Sequence, residues 1–138
     1  MRLKSLSYTS LARPSLTADD VDAVHQTARH LNVLDGITGL LVYNGRNFLQ
    51  VIEGAESAID DLYRRLLADP RHSAMNVEDE RYIESREFPE WAMEFAHVDI
   101  GHPDARRDII DLLPRSLPDK VRMKLAEVIA GDRPLPRA

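Results

Sequence analysis

The chain has 138 residues, 43% hydrophobic and 30% charged, which suits one compact domain with its own core. Its net charge of −5 disfavours general affinity for nucleic acid or an acidic membrane surface. The lack of cysteine excludes disulfides, thiol catalysis and cysteine-bound metals.

The opening stretch, "MRLKSLSYTS", carries no long apolar run, so no secretory leader is expected. No segment reaches membrane-spanning length, and a cytoplasmic location is the default expectation. Arg2 to Ser10 predicts a strand with Leu6 and Tyr8 on one face. "LARPSLTADD" is a connection in which Thr17 is the expected N-cap, with Asp20 three residues on as in a capping box. A helix follows to about Asn32, with Val21, Val24, Ala28 and Leu31 as its apolar stripe. "ITGLLVYNGRNFLQVIEG" predicts a hairpin turning at Asn44-Gly45 in a type I′ turn.

A second amphipathic helix is expected from about Ala55 to Ala68, with Ala58, Ile59, Leu62 and Leu66 inward, stopped by Asp69-Pro70. Met75 to Glu84 predicts a polar-alternating strand, "REFPEW" a turn and "WAMEFAHVDI" another strand. "HPDARRDIIDLL" and "PDKVRMKLAEVIAG" predict two short helices, and residues 132–138 a loose tail. The expected fold is α+β, a ferredoxin-like βαββαβ sheet with an extra strand. Two helices would cover one face and the C-terminal helices the other. Such a fold does not by itself assign a function.

Within the hairpin, "NFLQVIEG" places Phe48, Gln50 and Ile52 on one face and Leu49, Val51 and Glu53 on the other. A primary amide between Phe48 and Ile52 is costly to bury unless it is hydrogen-bonded. Tyr8 on the first strand and Asn32 at the end of the first helix can reach the same layer. A phenol and two carboxamides there offer directional hydrogen bonding without charge, which suits a polar, uncharged heteroaromatic ligand. A paired core network is the plainer reading on pattern alone.

Four blocks alter that balance: "LSYTS", "ARHLNVLDGITGLLVYNGRNFLQVIEG", "LYRRLLADPRH" and "REFPEWAM". In this order and spacing they resemble the BLUF domains, blue-light sensors that bind FAD, across about Arg2 to Ile100. The resemblance implies that residues 1–100 form a flavin-binding photosensor; the helical pattern beyond it makes residues 101–131 an extension packing on the sheet. Tyr8 matches the tyrosine that gives an electron and then a proton to the excited flavin. Gln50 matches the glutamine between that tyrosine and the flavin's N5 and C4-carbonyl edge, and Asn32 the asparagine at the C4-carbonyl and N3 region. Arg65, Asp69, Arg71 and His72 match the block along the flavin's remaining edge and tail, with Val24, Leu41, Phe48 and Leu66 as apolar contacts. Trp91 and Met93 match the tryptophan and methionine that relay the change outward.

The implied cofactor is FAD, with FMN or riboflavin as alternatives, and the implied activity is photochemical rather than enzymatic. A red-shifted state would pass its signal to a separate protein partner or through a change of homo-oligomer. Two positions depart from the family: Leu31, where asparagine or histidine is frequent, and Ala28, where many members carry a serine that can hold the tryptophan inward. The five histidines are scattered, and His25 and His30 miss the four-residue spacing that faces one metal, so no metal site is expected. Two alternatives stay open. An acylphosphatase-like hydrolase would need a phosphate cradle, for which "SLARPS" lacks glycines. A light-independent interaction module would need no flavin.

Overall fold

Two strands buried on both faces organise the molecule. In a computed structural model, which describes residues 2–15, 17–89, 94–97 and 113–130, β1 (Leu3–Ala12) and β3 (Asn47–Ala55) lie side by side in a five-stranded sheet. The strand order is β4-β1-β3-β2-β5, with β2 at Thr38–Tyr43, β4 at His72–Ile83 and β5 at Glu94–His97. The first four strands pair antiparallel, and β5 runs parallel to β2. This is the expected ferredoxin-like arrangement with an added strand. The register sets Tyr8 opposite Gln50 and Ser5 opposite Glu53.

Strand alternation separates two cores. Leu6, Ile37, Leu41, Phe48 and Ile52 pack beneath α1 (Ala18–Asp35) and α2 (Glu56–Leu67). Leu40, Val42, Leu49, Val51 and Phe88 pack on the other face against α3 (Asp119–Ala130), whose Val121, Leu125 and Val128 are fully buried. Burying each of those three contributes about 1.5–3 kcal/mol. The segment expected to form the first C-terminal helix and the expected tail lie outside the described residues.

The capping box at the start of α1 is present: Asp20 N donates to Thr17 Oγ1 at 3.1 Å, and Thr17 N donates to Asp20 Oδ2 at 3.0 Å. Three local expectations are corrected. Helix α1 runs past Asn32 to Asp35 and stops at Gly36, whose φ of +68° is the left-handed stop that glycine tolerates. Strand β4 starts at His72 rather than Met75. The hairpin turns through Gly45-Arg46, not Asn44-Gly45. Asn44 N donates to Asn47 O at 3.2 Å, and Gly45 alone has positive φ (+96°), the pattern of a type II′ turn. Asn44 Oδ1 fixes this register by accepting from Arg46 N at 3.0 Å and Asn47 N at 2.7 Å.

Candidate functional site

Between the sheet, α1 and α2 lies a cleft of about 740 Å³, counted with its mouth. Apolar side chains form most of its walls: Val24 from α1, Leu41 from β2, Phe48 from β3, and Leu62 and Leu66 from α2. Tyr8 and Gln50 stand on its floor, exposed by only 2% and 3%. The Tyr8 hydroxyl donates a short hydrogen bond to Gln50 Oε1. This fixes the amide with its oxygen toward the phenol and its Nε2 donors on the other side. Burial, reinforced by the negative charge of Asp69, pushes the Tyr8 hydroxyl well above its ordinary value, so its proton is in place to be donated.

The charged side of the cleft comes from the end of α2 and the connection to β4. Arg71 Nε donates to Asp69 Oδ1 at 2.9 Å and Arg71 Nη2 to Oδ2 at 2.6 Å, a bidentate pair. Hydrogen bonding from Arg71 holds the Asp69 carboxyl below the usual range, and the same bond raises Arg71. Arg65, also at the cleft, reaches Asp35 at the end of α1 at 3.2 Å. His72 enters because β4 changes register against β1 twice. The second shift, between Thr9 and Leu11, spans Ala74 (φ +53°) and returns His72 to Ala12. His72 Nε2 lies 2.6 Å from Leu66 O, which can only accept, so that nitrogen carries a proton. Nδ1 lies 2.7 Å from Ser10 Oγ and accepts from it in the neutral ring.

Tyr8, Gln50, Val24, Leu41, Phe48, Arg65, Leu66, Asp69, Arg71 and His72 therefore share one cavity. Thr27 and Leu62 line it too, outside the set picked from the sequence. Helical spacing carried the signal for both, three residues after Val24 and four before Leu66. Asn32 falls near the end of α1, but its side chain, like those of Ala28 and Leu31, is outside the described residues. Trp91 and Met93 are also outside them. Among the described residues no group of histidine and acidic side chains is arranged to hold a metal, and no helix is long and apolar enough to cross a membrane.

A slot with aliphatic and phenyl walls, an oriented amide on its floor and charges along one side fits a flat heteroaromatic ring that carries hydrogen-bonding atoms at its edge. Comparison with known proteins points the same way. The BLUF family, described as sensors of blue-light using FAD, matches residues 3–94. "Photoactivated adenylate cyclase subunit beta" of Euglena gracilis is 33% identical over 92 residues, 66% of this chain but 11% of that protein. The chain thus spans about a tenth of the length of that curated relative. The solved structure "BlrB - a BLUF protein, dark state structure" superposes with a TM-score of 0.73 at 36% identity, covering 94% of this chain and 96% of that one. BlrP1 of Klebsiella pneumoniae, as its manganese and cy-diGMP complex at pH 9.0, superposes at 0.76 with 30% identity over 93% of this chain and 33% of that one. The chain belongs to the BLUF family, the sensors of blue light that use FAD.

Proposed function

We propose that the cleft seats the isoalloxazine ring of FAD and that Tyr8 and Gln50 form a light-operated hydrogen-bond switch beneath it. The observation that carries this reading is the buried bond from Tyr8 to Gln50 Oε1 on the cavity floor. Val24, Leu41, Phe48, Leu62 and Leu66 would clasp the ring faces. Arg65 and the Asp69–Arg71 pair would meet its polar edge and tail, and Asn32 would take the anchoring role the family resemblance gives it. FMN or riboflavin would present the same ring. Bound flavin supplies the absorption of blue light and, once excited, an electron acceptor within reach of the phenol.

The chain's own part is proton and hydrogen-bond chemistry. Tyr8 holds its proton because burial opposes the phenolate, and it hands that proton toward Gln50 Oε1 as its electron leaves. Gln50 is suited to store the outcome. Turning its amide over exchanges oxygen and nitrogen, so the phenol oxygen would accept where it had donated. The cavity side would then present a different set of donors and acceptors. Two arrangements of similar size, each with partners, make a two-state element that light can bias. In this reading the chain is a photoreceptor that turns over no substrate. Its signal runs through Trp91 and Met93 to a separate protein partner or to a change of oligomer.

The test is optical. Protein loaded with FAD should show a flavin band that moves to longer wavelength under blue light and returns in darkness. Protein that cannot be loaded with FAD, or a loaded protein whose spectrum ignores light, would sink the reading.

A further inference from the structure

Three residues beyond Gln50, on the opposite face of β3, stands a fully buried carboxylate, Glu53. It accepts hydrogen bonds from Thr38 Oγ1 on β2 at 2.8 Å, Glu87 N at 2.8 Å and Phe88 N at 2.6 Å. Arg86 closes the same knot, donating to Thr38 Oγ1 at 2.9 Å, Glu53 O at 3.1 Å and Gly36 O at 2.7 Å. One side chain on the switch strand therefore holds the turn that precedes β5.

The knot continues to α3. The Glu87 carboxylate takes a short bond from Arg81 on β4. Arg81 Nε donates to Asp79 Oδ2 at 2.8 Å, and Asp79 Oδ1 lies 3.1 Å from Lys120 Nζ in the first turn of α3. Glu87 thus spans from β3 to β4 across β1 at Ser5, which the register places between Glu53 and Arg81. Ser5 Oγ and Glu87 Oε2 are both buried and have no hydrogen-bond partner among the described residues. Unpaired buried groups are costly, so a rearrangement that pairs them has the most to gain at this point.

We propose that Glu53 is a positioning residue that transmits the state of Gln50 to α3, through the 86–88 turn and the Glu87–Arg81–Asp79–Lys120 chain. The proposal rests on the flavin-switch reading above. Tyr8 pairs with Gln50 in the same ladder that pairs Ser5 with Glu53, and β3 is packed on both faces. A change in the Tyr8–Gln50 bond therefore reaches Glu53 through a strand that shifts as a unit rather than bending locally. Only a carboxylate serves, because two separate oxygens must accept from two successive backbone N–H groups and a hydroxyl.

The test is light-minus-dark hydrogen exchange of the FAD-loaded full chain, read by mass spectrometry over residues 113–130. Wild type should show a light-dependent difference there. Glu53→Gln keeps the shape but puts an NH₂ where an acceptor is needed. It should keep the flavin's red shift and lose the difference in α3. Lys120→Met, an exposed change that leaves the apolar docking of α3 intact, should likewise keep the red shift and lose the difference in the first turn of α3. A residue that served only stability would raise exchange equally in dark and light. A normal red shift without any exchange difference in wild-type α3, or an undiminished difference in both variants, overturns the relay. Loss of the red shift in wild type overturns the flavin reading itself, and the relay with it.

Discussion

Replacing Tyr8 with phenylalanine removes one hydroxyl and little else, and the structure indicates what that costs. The hydroxyl's bond ends on Gln50 Oε1, and both side chains are nearly inaccessible, at 2% and 3% exposure. Tyr8→Phe leaves a buried carbonyl oxygen without its phenol donor, which costs about 1–3 kcal/mol. Gln50→Leu leaves the phenol without its acceptor at a similar cost. Making both changes removes both ends, so the double variant should be less destabilised than the sum by about 1–2 kcal/mol. The assay is urea unfolding of the flavin-free protein in the dark, so that ligand binding does not enter. A loss of ~2 kcal/mol lowers the midpoint by on the order of 1 M urea, with an unchanged slope. Single costs that add to within ~0.3 kcal/mol in the double variant would refute the inference that these groups are each other's partners.

Burial raises the Tyr8 pKa in the folded state above its ordinary 10.0, so the unfolded chain loses this proton first as the solution becomes alkaline. The Tyr8 contribution to stability should be constant below pH 10 and fall above it, by about 1.4 kcal/mol per pH unit. Tyr8→Phe should make the decline shallower, with the remainder coming from Tyr43, Tyr82 and Lys4, whose values are also raised; an unchanged pH profile would count against the buried neutral phenol. A Cβ on Gly39 would sit 1.9 Å from Val51 O at a φ of +154°, so Gly39→Ala should destabilise by more than about 3 kcal/mol in thermal or urea unfolding. Leu125→Ala on α3 should cost about 2–5 kcal/mol yet leave FAD affinity intact, because Leu125 packs on the face away from the cleft. Equal losses of stability and flavin affinity would contradict that separation.

Much of the site was legible because strand alternation is a strict rule. Once Leu6/Tyr8 and Phe48/Gln50/Ile52 are read with a period of two, each set takes one face of its strand, and the ferredoxin-like order makes β1 and β3 neighbours, which brings the phenol beside the amide. The inward Leu62 and Leu66 of α2 followed from helical spacing, while Arg65 beside them came from family resemblance. The errors have physical causes. Asn44-Gly45 has the composition of a type I′ turn, but the Asn44 side chain captures the backbone N–H groups of Arg46 and Asn47 and moves the turn one residue on. Helix α1 ends at the glycine of "LDGITG" as expected, but the backbone stays helical three residues beyond Asn32, up to Asp35, because Gly36 supplies the left-handed stop. Glu53 was opaque for another reason. An acidic residue near a strand end reads as solvated, and its amide partners are 34 and 35 residues away, where no local pattern could announce them. Arg71 and His72 were reached only through family resemblance, since their placement depends on a bulged register between β1 and β4.

The central claim is that the Tyr8–Gln50 pair is the light-operated switch. Its most direct test is the blue-light-minus-dark absorption spectrum of FAD-loaded Tyr8→Phe beside wild type. A reversible red shift is expected in wild type and, in the variant, bound FAD with no such shift. A reversible shift of normal size in Tyr8→Phe would contradict it.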